Sequence, residues 1–272
     1  MKDKAITFRL YPDNQPKNLE IAQLQKGLVM VVCGNEVVEE GLGFGVPIVK
    51  YYYSTYFSST AQVYLEHEEP QDAVYKKIFF LDSISRKQIH GAFINDALYS
   101  IFHSLFEKLY LTRRSLRPLF DWIMHTRQAL GVQTHFERTS SKGKITITYH
   151  CSAQEIRISV DLSKLDKDQC KEILILNEQG ASGFRRYFDS DNTMLEEREI
   201  EGWAIVKAER ASFCDPDRGV LFTLHSLKNA YLYRGREQIK GRFSWAGMSY
   251  SIDPKSVGFE YFIQVTRGAT FS

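Results

Sequence analysis

The feature that most constrains this chain is a pair of two-residue alternations, each unbroken, between positions 144 and 162. Ile145, Ile147 and Tyr149 alternate with Lys144, Thr146, Thr148 and His150. Ile156, Ile158, Val160 and Leu162 then alternate with Arg157, Ser159 and Asp161. Successive side chains of a strand point to opposite faces, so this pattern requires two half-buried strands and excludes a helix. Ser140 to Gly143 closes the hairpin that precedes them. Two further stretches, Leu28 to Val32 and Ile173 to Leu176, are continuous apolar runs and read as strands buried on both faces.

Other strand-like stretches are Tyr51 to Phe57, Val63 to Leu65, Val74 to Leu81, Trp203 to Glu209, Val220 to Leu227, Tyr231 to Tyr233, Phe243 to Ile252 and Gly258 to Val265. Turn chemistry separates them, most clearly at His67-Glu68-Glu69-Pro70 and at Asp215-Pro216-Asp217-Arg218-Gly219. The spacing gives about a dozen strands with hairpin connections. Strands do not alternate with helices, which argues against a parallel doubly wound sheet. The expectation is a mainly β chain: one large antiparallel β-sandwich, supersandwich-like, spanning residues 1–272 as a single domain.

One segment departs from this period. Between 92 and 131, Ile94, Leu98, Ile101, Leu105 and Leu109 recur at helical spacing, and Phe102 and Phe106 widen the stripe. Ser115 fits a helix N-cap, Pro118 a first turn and Gly131 a C-terminal stop. The spacing predicts an inserted helical segment over 92–131, with a basic cluster of Lys108, Arg113, Arg114 and Arg117.

Composition narrows the function classes. The formal net charge is +2 over 272 residues, and apart from that helical cluster Lys and Arg are dispersed, so nucleic acid is not an expected partner. The start, Met1-Lys2-Asp3-Lys4-Ala5, has no apolar signal core, and no run approaches the ~20 apolar residues of a membrane span. Cys33, Cys151, Cys170 and Cys214 are too far apart for a CxxC pair and lack zinc-finger spacing. They read as reduced thiols, which together with the other features predicts a cytoplasmic protein without a membrane partner. HExxH and GxSxG are absent, and Asp189 and Asp191 lack a full calcium loop. No metal and no cofactor are expected.

Three constellations carry the functional expectation. Asn177-Glu178-Gln179-Gly180 follows the buried run Ile173 to Leu176 and delivers an amide, a carboxylate and a second amide together. It suits a polyhydroxylated ligand, or else it is a turn emerging into water. Phe184 to Asp191 places Arg185 and Arg186 beside aromatics and carboxylates. It reads either as an anion or sugar clamp or as a hairpin turning at Asp189 to Asn192, with its arginines paired to Glu196-Glu197-Arg198-Glu199. Tyr231-Leu232-Tyr233-Arg234-Gly235-Arg236-Glu237, followed by Phe243-Ser244-Trp245, sets Tyr231 and Tyr233 on one strand face. Arg234 and Arg236 share the other if the strand stays regular past Gly235. The pattern suits a recognition groove, and before that an ordinary interstrand ion-pair network. Gly41-Leu42-Gly43-Phe44-Gly45 precedes Pro47 and a β-branched run rather than a helix, so it marks a bulge or close backbone approach and not a phosphate loop.

At the level of strand count and aromatic content, the antiparallel run closing on Gly258-Phe259-Glu260-Tyr261-Phe262-Ile263 resembles the large sandwiches of sugar epimerases and polysaccharide lyases. Aromatic platforms beside amide, carboxylate and guanidinium groups predict a carbohydrate-like or other polar small-molecule ligand, bound or processed. Candidate ligand-binding residues are Asn177, Arg186, Trp203, Arg236, Glu237 and Trp245, with Glu178 or His150 as general acid or base if the chain is an enzyme. The competing reading is a non-enzymatic interaction or oligomerisation module in which the helical segment meets a partner or a second copy, giving a homo-oligomer.

Overall fold

A computed structural model of the chain describes residues 6–10, 25–32, 35–36, 41–52, 54–58, 60–69, 72–81, 84–89, 133–137, 141–152, 155–200, 202–239 and 243–267. Of residues 35–36, 84–89, 133–137, 237–239 and 243–244 only the backbone is described. The expected helical segment 92–131 lies outside the described residues.

In chain order the strands are β1 (Ile6–Arg9), β2 (Val29–Val32), β3 (Asn35–Glu36), β4 (Gly43–Tyr51), β5 (Thr55–Phe57), β6 (Thr60–Glu69), β7 (Asp72–Phe80), β8 (Ile84–Ile89), β9 (Gln133–Glu137) and β10 (Lys144–Ser152). They continue as β11 (Glu155–Asp161), β12 (Cys170–Gln179), β13 (Arg186–Asp189), β14 (Met194–Leu195), β15 (Ala204–Ile205), β16 (Arg210–Asp215), β17 (Val220–His225), β18 (Ala230–Ile239), β19 (Phe243–Ile252) and β20 (Gly258–Arg267). The described residues contain no helix, hence none long and apolar enough to cross a membrane. The chain divides into two compact units, residues 85–137 forming one and the remainder the other. In the smaller unit β8 pairs antiparallel with β9.

The larger unit is built from antiparallel sheets. One has nine strands in the order β14-β13-β16-β17-β20-β11-β10-β7-β6. A second contains the run β15-β18-β19-β12-β4-β5, and β1, β2 and β3 form a small third sheet. The alternating strands lie where the period places them. β10 pairs with β11 through Ile147↔Val160 and Tyr149↔Ile158, and Ile145, Ile147, Tyr149, Ile156 and Ile158 are wholly buried. Burial of an aliphatic or aromatic side chain of this size contributes about 1.5–3 kcal/mol.

The buried sides of the nine-strand sheet and of the β15-to-β5 sheet share one core. Phe44 on β4 packs edge-on against Phe222 on β17, ring centroids 5.3 Å apart. Phe184 and Phe213 also pack on Phe222. Three tyrosines add polar links between the sheets. The Tyr149 hydroxyl on β10 donates to the carbonyls of Phe44 (3.2 Å) and Gly45 (3.0 Å). Tyr261 on β20 donates to Asn177 Oδ1 on β12 (2.8 Å), and Tyr250 on β19 donates to the His225 carbonyl on β17 (2.5 Å). Burial pushes the Tyr149 and Tyr261 phenols well above their ordinary pKa, so both remain hydrogen-bond donors across the working pH range.

The glycine at 45 is explained by this junction. Gly45 has φ +73°, and a Cβ there would lie 2.9 Å from the Tyr149 ring and hydroxyl. Only glycine combines that backbone with that approach. The β4–β12 register shifts between Leu176 and Asn177, so the glycine-rich run is a bulge, as its sequence suggests.

Two turn boundaries differ from expectation. β6 continues through His67, Glu68 and Glu69, and Glu69 pairs with Asp72, so these three residues are strand and not turn. β12 does not end at Leu176 but runs on to Gln179. Ladder pairing to β19 and β4 satisfies the backbone there and outweighs the polar character of the side chains.

Candidate functional site

Stretches near positions 178, 203 and 236 lie on neighbouring strands. Glu178 pairs with Gly247, Gly247 with Gly235, and Ala204 with Arg234, so β12, β19, β18 and β15 run side by side. Pairing stays regular through Gly235, leaving Arg234 and Arg236 on the face opposite Tyr231 and Tyr233. Alternation then sorts the candidate residues onto two faces.

The inward face takes Asn177 and Arg236. Asn177 is wholly buried, and its Oδ1 accepts from the Gly45 amide (3.1 Å) and the Tyr261 hydroxyl (2.8 Å). Its Nδ2 donates to the Ile175 carbonyl (3.3 Å). Both ends of the amide are committed to the fold. Arg236 Nη2 donates to Glu197 Oε1 (2.6 Å) and to the Ala181 carbonyl (3.1 Å), with its side chain 8% exposed. Arg234 lays its guanidinium over the Tyr187 ring, 4.5 Å from the centroid. These groups join sheet to sheet and loop to sheet.

The outward face takes Glu178, Trp245 and Trp203. Glu178 is buried, and in the lateral row across the sheet its paired neighbours are Gly43 on β4 and Gly247 on β19. Gly235 continues the row on β18. Four strands therefore carry one side chain between them at this level, a carboxylate. Trp245 lies across the Gly235 end: a Cβ at Gly235 would meet its ring at 2.8 Å and the Trp203 amide nitrogen at 2.8 Å. Trp203 stacks on Trp245, with centroids 4.5 Å apart and planes 19° apart. Trp245 is 7% exposed and Trp203 half-buried, so Trp203 forms the outer layer of the pair. Two interstrand spacings, roughly 10 Å, separate the Glu178 and Gly235 backbones. Ser249 sits one row away on the same face, buried, and its hydroxyl has no hydrogen-bond partner among the described residues. Glu237 pairs with Trp245 along the backbone, at the same end of the face.

The remaining candidates stand elsewhere. Arg186 is at the margin of the nine-strand sheet and pairs with Glu196 at 2.8 Å, while Arg185 pairs with Asp217 at 2.7 Å. β13 and β14 form the hairpin expected at Asp189 to Asn192, and Asn192 takes φ +62° in the turn. His150 is exposed on β10, on the face opposite the inward Tyr149. Glu178 and His150 thus occupy outward faces of different sheets. Among the described residues no group of three His, Cys, Asp or Glu is placed to hold a metal ion.

Sequence reasoning passed over the glycine row and Ser249. The available signal was glycine inside strand-like stretches, at 235 and 247, which marks a close approach rather than a turn. The Gly235 contact with both tryptophans is such an approach.

No family model and no curated protein matches the chain. Solved structures give distant likenesses. The chain is 7% identical to the α-N-acetylgalactosaminidase NagBb of Bifidobacterium bifidum, with TM-score 0.48 over 98% of this chain and 35% of that one. It therefore spans about a third of that enzyme. Slr1438 of Synechocystis gives 10% identity and TM-score 0.35, and HI1317 gives 7% and 0.38, each covering 88% of both chains. At these values none of the three bears on the function.

Proposed function

We propose that the chain binds a carbohydrate-like, hydroxyl-rich small molecule on the outward face of the β12-β19-β18-β15 sheet. The observation that carries this reading is the Trp203–Trp245 stack lying over Gly235, in the same lateral row as Glu178. Sugar rings present apolar C–H faces that pack on indole, while their hydroxyls need fixed polar partners. Trp203 supplies the platform, Glu178 the acceptor, and Ser249 a second polar group beside it. The glycine at 235 lets the Trp245 ring lie close against the sheet in that row. If binding leads to a reaction, Glu178 is the group placed to move a proton.

The experiment is a titration of tryptophan fluorescence with a panel of mono- and oligosaccharides, on the unmodified chain and on Trp203→Ala and Glu178→Gln. A saturable change that disappears in Trp203→Ala and weakens in Glu178→Gln supports the reading. Absence of any saccharide response, or a response that survives Trp203→Ala unchanged, refutes it.

The finer statements belong to the same proposal. We read the two core-sharing sheets as one large supersandwich-like body, supported by Phe44–Phe222 packing and the tyrosine links. We place the protein in the cytoplasm with a small-molecule ligand rather than nucleic acid or membrane. The support is the small net charge and the unpaired thiols of Cys151, Cys170 and Cys214.

A further inference from the structure

The outward face of the nine-strand sheet carries a concavity. It is a cleft of about 250 Å³ lined by Phe188, Asp189, Arg210, Ser212, Thr223 and Gln264 among others. Backbone pairing sets Phe188, Ser212, Thr223 and Gln264 in one lateral row across β13, β16, β17 and β20. Ser212 and Thr223 are buried and share a 2.7 Å hydroxyl–hydroxyl hydrogen bond, so one of the two protons remains to donate elsewhere. Burying hydroxyls on an outward strand face is costly unless they are used, and a β-branched apolar residue would suit the same pleat.

At one end of the cleft Asp189 is fixed by its own hairpin. Asp189 Oδ1 accepts from the amides of Asp191 and Thr193, both at 3.0 Å, and Oδ2 accepts from the Tyr187 hydroxyl at 3.0 Å. Three donors fix the carboxylate and leave about one of its lone-pair positions open. Arg210 lines the cleft and has no ion-pair partner among the described residues. Arg210 stands among uncharged hydroxyl and amide groups, which suits a ligand rich in hydroxyls. The remaining lining is hydroxyl, amide, one aromatic ring and Leu221.

We infer that this cleft is a second binding site, for the pyranose ring of a neutral sugar, with Phe188 against the ring face and Arg210, Gln264, Ser212 and Thr223 on its hydroxyls. Its volume falls just below the roughly 300–1,000 Å³ span of small-molecule clefts, which limits it to about one ring. The site is on the other sheet from Trp203 and does not depend on the tryptophan face being a ligand site.

The test is an NMR titration of the ¹⁵N-labelled full chain with D-glucose, D-galactose and glycerol. Saturable shifts of the Ser212, Thr223 and Gln264 amides are expected with at least one pyranose and not with glycerol. Arg210 and Gln264 are both exposed, so Arg210→Ala and Gln264→Ala retain the fold, and each weakens binding by about tenfold. Trp203→Ala leaves these shifts intact, whatever it does at the other face. The inference is overturned if neither pyranose shifts these amides, if glycerol shifts them equally, or if both cleft variants bind as the unmodified chain does. Loss of the cleft shifts in Trp203→Ala overturns it too.

Discussion

Replacing Asn177 with alanine tests the central junction of the fold. Asn177 Oδ1 accepts two buried donors, the Gly45 amide at 3.1 Å and the Tyr261 hydroxyl at 2.8 Å. Asn177, Gly45 and Tyr261 are all buried, so water cannot replace the lost acceptor without opening the core. A buried donor left unsatisfied costs about 1–3 kcal/mol, so Asn177→Ala should cost between about 2 and 6 kcal/mol. Domain stabilities are typically about 5–15 kcal/mol, so this single change removes a large share. Tyr261→Phe removes one donor and leaves Gly45 still bound to Asn177, and should cost about 1 kcal/mol. The two effects should not add. In the Asn177→Ala background, Tyr261→Phe removes a hydroxyl that no longer has its acceptor, so it should be neutral or restore stability. Urea unfolding with linear extrapolation, run on both single variants and the double variant, reads this coupling directly. Strict additivity, or an Asn177→Ala loss below about 1 kcal/mol, would falsify the reading of Asn177 as the acceptor joining the sheets.

Further outcomes follow from other contacts. Gly235→Ala puts a methyl group 2.8 Å from the Trp203 backbone and the Trp245 ring, so the near-ultraviolet dichroism of the stacked indoles should collapse, as it should in Trp203→Ala. Burial alone would raise the pKa of Glu172, but hydrogen bonds from Lys50 and Ser251 outweigh it and hold the carboxyl below its ordinary value. A depressed folded-state pKa gives stability that is present above the unfolded value and lost as pH falls through the folded one. Lys50→Met should therefore flatten the fall in melting temperature between neutral pH and the acid end of the carboxylate range, and an unchanged slope contradicts this. Burial pushes the Cys151 and Cys214 thiols up to about 12, while Cys170 is only half-buried. Of these three, Cys170 should be alkylated first in the native chain, as read by peptide mass mapping.

Legibility from sequence followed the physics of each segment. The strands around Ile147 and Ile158 were legible because one of their faces is buried and the other wet, which writes the period into the residues. Arg234 and Arg236 were legible as a face for the same reason. Asn177 was not legible as a core residue. The core tolerates its amide only because Gly45 and Tyr261, 132 and 84 positions away in the chain, bring donors to it. Nothing local to Asn177-Glu178-Gln179 distinguishes a strand continuing through a buried polar junction from one surfacing into a turn. The opposite orientations of Glu178 and Asn177 follow from strand alternation once β12 is known to continue. Placing Trp203 against Trp245 required the β18–β19 and β15–β18 pairings, which are non-local.

The nine-strand sheet ends at β6, ten residues long and largely exposed, with Tyr64 47% and Leu65 52% accessible. Such a margin invites another chain to extend the ladder. Two features of β6 oppose that: a register shift between Leu65 and His67, and the carboxylates of Glu66, Glu68 and Glu69 along the same strand. Part of that guard is electrostatic, so dissolved salt that screens charge weakens it. This chain should consequently self-associate through growing sheets first at high ionic strength, where the apolar Tyr64–Leu65 step loses its repelling neighbours.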